Sequence, residues 1–374
     1  MTLPNRESGF TFLVRNLEAQ EERFSNAFGI LENGIAARVF PGCSLAVTWR
    51  GELLAHKGLG RFTYDFASPE VNAASLFDLA SLTKVVATTA VAMVLYERGL
   101  LDLEAPVTGI IPEFAGNDAL RRDVTLRMLL AHCSGLPAYE KLFQRVATRE
   151  DLLHAAFRTP LAADPGTRAE YSDVGFMILG VVLERLADER LDAFCQREIF
   201  GPLGMTQTTF NPATALKPSI PPTADDRTFR HRIIQGEVQD ENASVLEGVA
   251  GHAGLFSIAE DLAVFSHAML NGGHPILRPS TVERFTRRES EPEGTSRALG
   301  WDTPSQPSQS GKHFSSRAFG HLGYTGTSLW IDPERQLSIA LLTNRAWPDC
   351  HNQAIKQIRP AFHDAIVEAL GNPL

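Results

Sequence analysis

A chain of 374 residues with a formal charge of -9 is long for a single hydrophobic core and too acidic to be drawn to nucleic acid or an anionic membrane surface. Its 44% hydrophobic and 21% charged residues are those of an ordinary globular protein and exclude collagen, coiled coil and wholesale disorder. Two subdomains are expected, and a small molecule is the expected partner.

The first twenty residues, MTLPNRESGFTFLVRNLEAQ, lack the basic start and unbroken apolar stretch of a secretory signal. The longest uncharged apolar run, Val85 to Tyr96, is too short for a bilayer span of about 20 residues. A soluble, cytoplasmic protein is the expectation, or a periplasmic or secreted one if a leader has been trimmed. Cys43, Cys133, Cys195 and Cys350 are scattered without metal-ligand spacing and read as small buried or neutral residues.

Along the chain, Leu17, Phe24, Phe28, Leu31 and Ile35 share one face of a helix over 17–38, which Pro41 and Gly42 end. Leu45, Val47 and Trp49 alternate with Ser44, Ala46 and Thr48, then turn at Arg50-Gly51-Glu52 into a second apolar run, predicting a hairpin. Helical patterns follow at 82–98, 125–132, 149–157, 174–188, 191–199 and 259–271. A second hairpin turns at Asp332-Pro333. A last helix repeats Ile355, Ile358, Phe362, Ile366 and Leu370.

The fold class is therefore α+β: one antiparallel sheet flanked by N- and C-terminal helices and interrupted by an inserted helical subdomain. Residues 1–80 and 288–374 would form the sheet subdomain, and 81–287 the helical one. The cleft between them is the expected site.

The segment SLTKVVATTAVAM, residues 81–93, puts Ser81 and Lys84 one helical turn apart on one face. The uncharged residues that follow predict a buried helix, so Lys84 is poorly hydrated and its neutral amine is favoured. A neutral amine there could take the Ser81 proton, and backbone N–H groups at the helix start would face the developing negative charge. Reaching neutrality near pH 7 requires a fall of roughly 3 pKa units, about 4 kcal/mol. Two further segments stand out, EYSDVGFMILGVV with Tyr171 before a helix and FGHLGYTGTSLWIDP with His321 and two glycines before a strand.

Taken together, Ser81-Leu82-Thr83-Lys84 (S-x-x-K), Tyr171-Ser172-Asp173 (Y-x-N) and His321-Leu322-Gly323 (K-T-G), with LLAHCSGLP and GHAGLFSIAEDLAVF, resemble the serine β-lactamase and penicillin-binding-protein superfamily. The likeness is strongest to its class C β-lactamase and family VIII carboxylesterase branch and spans residues 40 to 350. It implies Ser81 as acylated nucleophile, Lys84 as proton acceptor, Tyr171 as proton shuttle, and the backbone N–H groups of Ser81 and Tyr324 as oxyanion hole. It implies no metal or organic cofactor. His321 would join Ser81, Lys84 and Tyr171 as a catalytic residue, and Asp173 and Gly323 would bind the substrate.

Two positions depart from the family pattern. His321 replaces a lysine, so carboxylate recognition should weaken and neutral esters or peptide-like amides should be preferred over β-lactams. Asp173 replaces an asparagine and would oppose deprotonation of Lys84 unless it points away; otherwise Tyr171 with His321 carries more of the proton traffic. A D-alanyl peptidase, a weak β-lactamase or a catalytically weak sensor domain are the alternatives.

Other nucleophiles fit poorly. Ser44 in PGCSLA lacks the last glycine and the helix of a nucleophile elbow. His132 and Cys133 are adjacent and do not face each other on a helix. Residues 303–318, rich in serine, proline and glutamine, read as a polar, mobile surface loop.

Overall fold

The computed structural model describes residues 13–371; the reading of residues 1–12 as free of a leader lies outside them. Six strands, β1 (Val14–Arg15), β2 (Gly42–Trp49), β3 (Glu52–Gly60), β4 (Phe319–Leu322), β5 (Ser328–Asp332) and β6 (Leu337–Thr343), form one sheet in the order β1-β3-β2-β6-β5-β4. Only the short β1 runs parallel to its neighbour. The expected α+β architecture holds, with both predicted hairpins in place. Arg50 and Gly51 sit at φ 52° and 83°, the left-handed pair that a two-residue turn requires.

Alternation along the strands separates two cores. Leu45 and Val47 of β2, with Ile339 and Leu341 of β6, pack on α1 (Ser25–Ala36) and α5 (Ile355–Ala369) through Phe28, Leu31, Phe362 and Ile366. Full burial of each such side chain stabilises by about 1.5–3 kcal/mol. Ala46, Leu329, Ile331, Ala340 and Leu342 point the other way, into a core shared with Leu262, Ala263 and Phe265 of α4 (Ala259–Leu270). Both faces are covered, so the polar positions of β2 are buried and bonded: Thr48 Oγ1 lies 2.6 Å from Ser338 Oγ.

Between the strands lie α2 (Ala90–Glu97), α3 (Asp173–Ala187) and shorter helices. The helix read over 17–38 breaks at Phe24 into Gln20–Arg23 and α1. The edge strand β4 escapes the sequence pattern because Gly320 reads as a turn. A side chain on Gly320 would sit 2.4 Å from Leu329 O and 2.5 Å from the Trp330 ring, so the glycine lets that indole lie across the strand.

The segment Ala80–Glu97 is long and apolar enough by composition to cross a membrane, longer than its uncharged run indicates, yet 83% of it is buried inside the fold. Its apolarity belongs to the core.

Candidate active site

The chain reaches Ser81 through a short strand, Phe77–Asp78, paired with Leu255–Ser257. Asp78 then accepts the N–H of Ala80 at 2.8 Å and that of Gln239 at 2.7 Å. These bonds hold Ala80 at φ 47°, a left-handed conformation uncommon without glycine, and swing the next residue toward the cleft. Burial pushes the Asp78 carboxyl up to about 6. Ser81 lies in a single 3₁₀ turn, Ala80–Leu82, followed by π-type turns over Lys84–Thr89 and then α2. Thr83 Oγ1 donates to Ala80 O at 2.6 Å and accepts from Leu255 N–H at 3.1 Å, fixing the turn from inside.

Lys84 is 0% exposed, and its Nζ lies 2.9 Å from Ser81 Oγ, 2.6 Å from Asp173 Oδ1 and 3.0 Å from His252 O. An ammonium would donate to all three; a neutral amine would donate to two and accept the Ser81 proton. Burial lowers the Lys84 pKa, and the Asp173 carboxylate opposes that fall. Of the two arrangements expected for Asp173, the one in which it points away is not adopted.

Tyr171 precedes α3 and offers its single phenolic proton to Ser81 Oγ at 2.8 Å or to Asp173 Oδ1 at 3.0 Å. Burial and the Asp173 charge raise its pKa well above the ordinary phenol value, so the proton stays on oxygen unless it is passed on. The His132 ring packs against Tyr171 with centroids 4.8 Å apart, and its Nδ1 accepts the Ser172 N–H at 3.0 Å. Ser172 caps α3: its Oγ accepts from Gly175 N–H at 3.0 Å and donates to Pro137 O at 2.7 Å. Removing this cap with Ser172→Ala should lower the unfolding free energy by about 1–2 kcal/mol; urea titration checks it, and an unchanged midpoint would contradict the capping role.

The opposite wall comes from the sheet. His321, at the end of β4, lies with its Nδ1 2.8 Å from Leu322 O, so Nδ1 carries the proton and the buried Nε2 keeps an unpartnered lone pair. Burial, Lys84 and Arg297 lower its pKa well below the usual histidine value, leaving it neutral. Its ring lies 6.0 Å from that of Tyr171. Beyond it, Thr325 Oγ1 and Thr327 Oγ1 donate to Asp78 O and Leu79 O, each at 2.9 Å. These two bonds tie the turn carrying Gly323 and Tyr324 to the residues just before Ser81.

These walls enclose a cleft of about 490 Å³ whose lining includes Ser81, Tyr171, Asp173, His321, Gly323 and Tyr324. All the side chains picked from the three motifs thus meet there except that of Lys84, which approaches Ser81 from behind. Arg297, Arg345, Lys356 and Arg359 also line it, so the cleft carries cations although a histidine stands at position 321. No local pattern marks these four residues in the sequence.

The rejected nucleophiles lie elsewhere or are inert: Ser44 is buried and donates to Ala73 O at 3.1 Å, and burial pushes the Cys133 thiol up to about 11. Gln309, from the polar loop over 303–318, reaches the cleft and accepts from Arg359. Among the described residues no group of three or more His, Cys, Asp or Glu side chains is arranged to hold a metal ion.

The family model described as Beta-lactamase matches residues 28–361. The N-acetylmuramyl-L-alanine amidase of Bacillus subtilis is 33% identical over 357 residues, covering 84% of this chain and 79% of that protein. An Escherichia coli relative with the provisional name D-alanyl-D-alanine carboxypeptidase is 34% identical over 302 residues, covering 72% of this chain and 69% of its own. In fold, the chain is similar to EstCE1, a hydrolase with promiscuous acyltransferase activity, with a TM-score of 0.75 at 20% identity, covering 92% of this chain and 99% of that one. The chain belongs to the β-lactamase family, whose members are serine hydrolases.

Proposed function

We propose that the protein cleaves an amide or ester bond of a small acyl substrate through an acyl-enzyme on Ser81. One observation carries this reading: Ser81 Oγ, at the wall of the cleft, is held by both Lys84 Nζ at 2.9 Å and Tyr171 OH at 2.8 Å. Two groups able to move a proton on one hydroxyl are the requirement for activating an otherwise weak nucleophile.

In the proposed sequence Ser81 Oγ attacks the acyl carbon as its proton passes to neutral Lys84. The N–H groups of Ser81 and Tyr324 stabilise the oxyanion. On collapse the bond to the leaving nitrogen or oxygen breaks, and the leaving atom takes the Tyr171 proton; the phenol is reprotonated from Lys84 by way of Asp173, whose Oδ1 lies 2.6 Å from the amine and 3.0 Å from the phenol. Water then enters along the same path, gives its proton up to Lys84 through Tyr171, and releases the acid and free Ser81. Names of relatives favour the amide side of the proposal, two of them being an amidase and a carboxypeptidase.

A panel of p-nitrophenyl butyrate, D- and L-alanyl p-nitroanilides and a chromogenic cephalosporin tests the proposal on wild type and Ser81→Ala. Turnover of an ester or anilide by wild type, falling at least about 10³-fold in the variant, is expected. Equal rates in the two proteins, or no turnover by either, would overturn it.

A further inference from the structure

We infer that Asp240 and His252 are positioning residues for Lys84: their buried contact fixes the carbonyl that takes one of the amine's protons and sets a carboxylate behind it. The consequences for turnover rest on the hydrolase reading above; the contacts themselves do not.

His252 lies in GHAGLFSIAEDLAVF, a stretch the mechanism otherwise leaves unused. Lys84 Nζ donates to His252 O at 3.0 Å. The ring of the same residue is buried, and its Nε2 lies 2.9 Å from Asp240 Oδ1. A carboxylate only accepts, so Nε2 carries the proton; Nδ1 is buried without a partner.

Asp240 is held in turn. Its Oδ1 also accepts the Ala243 N–H at 2.7 Å, capping the short helix Glu241–Val245. The preceding residue, Gln239, donates its N–H to Asp78 Oδ2 at 2.7 Å, and Asp78 sets the turn into Ser81 through the Ala80 N–H. One chain of contacts therefore runs from the turn that carries the nucleophile, through Asp78, Gln239, Asp240 and His252, to the amine that takes the nucleophile's proton.

The backbone around His252 gives the side-chain anchor its purpose. Gly251 presses against α3: a Cβ there would sit 2.1 Å from Phe176 O and 2.9 Å from Gly180 Cα. Gly254 holds φ at 119°, which residues with a Cβ rarely adopt. Glycines permit this close approach, but they leave the peptides between them freer to tilt. Thr88 Oγ1 steadies the peptide before His252 by donating to Gly251 O at 2.6 Å; the bond to Asp240 steadies the one after it.

Direction matters because a neutral amine has two protons and one lone pair. With the protons on Asp173 Oδ1 and His252 O, the lone pair is left for Ser81 Oγ, 2.9 Å away. If the carbonyl swings aside, a proton is released to point at Ser81 instead. A third group that orients the base is the usual complement to a nucleophile and its base. Capping alone would account for an acidic residue at 240, since serine or asparagine caps as well. It does not account for a buried imidazole on the residue that holds the amine.

Asp240 also acts through its charge. Burial lowers the Lys84 pKa, Asp173 and Asp240 raise it, and Arg297 lowers it. Burial works to raise the Asp240 carboxyl, but His252, the Ala243 N–H and Lys84 hold it below the ordinary carboxylate value. Tyr171, His132 and His321 face the amine uncharged at neutral pH, because burial raises the phenol and lowers both imidazoles.

Four single variants test the pair on the best ester or anilide. Asp240→Ser keeps a capping oxygen for Ala243 but not the reach to His252, and His252→Leu removes the donor at similar bulk. Each should lower kcat by about 10–10²-fold with KM changed less than about 3-fold, the effect of a misplaced base. Asp240→Asn and His252→Gln, which keep the acceptor and the donor, should stay within about 5-fold of wild type at plateau pH. Because the two residues act as a unit, Asp240→Ser/His252→Leu should lose no more than the worse single variant. Wild-type kcat in a folded Asp240→Ser or His252→Leu, or losses that multiply in the double variant, would refute the pairing.

The amine itself gives a readout that needs no turnover and that decides the matter even if the serine or leucine variant does not fold. The chain has six lysines, so in protein 13C-labelled at lysine Cε the Lys84 resonance is assigned by its absence from Lys84→Met. Its titration midpoint should fall in Asp240→Asn, where the charge is gone and the contact kept; an unmoved midpoint is the contrary result. A fall without turnover by any of the proteins would keep the pair and reject the hydrolase. Turnover with both midpoint and kcat unmoved across the variants would do the reverse.

Discussion

Lys84→Met should lower kcat for the best substrate by about 10²–10⁴-fold, the usual contribution of a positioned base. The variant also removes the partner of Asp173, 2.6 Å away, and leaving a buried charge uncompensated costs about 3–5 kcal/mol at full burial. With its side chain 16% exposed, Asp173 should cost less. Stability loss and catalytic loss are separated by Lys84→Met/Asp173→Asn, which should recover most of the stability and none of the activity.

Asp173→Asn alone gives the sign of the electrostatic coupling. The carboxylate raises the Lys84 pKa against the dominant effect of burial, so removing it lowers that pKa further. If neutral Lys84 is the base, the acid limb of the kcat/KM profile follows it down. A limb that moves upward would show that the Asp173 carboxylate, reached through Tyr171, is the acceptor instead.

Gly323→Ala is the second large effect. A methyl group there would sit 1.9 Å from Thr327 Oγ1 and 2.5 Å from Leu79 O. Both belong to the bond that ties the Tyr324 turn to the segment before Ser81. The turn must move away, taking the Tyr324 N–H out of reach of a developing oxyanion, and loss of one such donor costs about 10²–10³ in kcat. KM should change much less, and the fall should be shared by ester and amide substrates. Full activity in Gly323→Ala would remove Tyr324 from the mechanism.

What could be read from the sequence follows from how local each contact is. Ser81 and Lys84 meet because three residues make one turn, and the uncharged run after them announces the burial of the amine. Tyr171 and Asp173 sit on the N-terminal edge of a helix whose apolar stripe is plain. His132 is legible only as half of an adjacent His-Cys pair, because its real neighbours, Tyr171 and Phe176, at 4.8 and 4.9 Å, are some forty residues away. Arg345 and Arg359 are read as ordinary charges, since nothing local shows that they line the cleft.

The same holds for the fold. Alternation in β2 predicts a strand but not that α4 covers its second face, where Ala46 is as buried as Leu45. Gly320 and Gly323 both make room for a side chain, one for Trp330 and one for Thr327. Along the chain both look like breaks.

Intact-protein mass spectrometry after a fluorophosphonate probe reads the activation of Ser81 itself, because it does not require the substrate to be known. One adduct is expected, mapped to Ser81, absent from Ser81→Ala and much slower to form in Lys84→Met. An adduct on another residue, or substrate hydrolysis undiminished in Ser81→Ala, would contradict it.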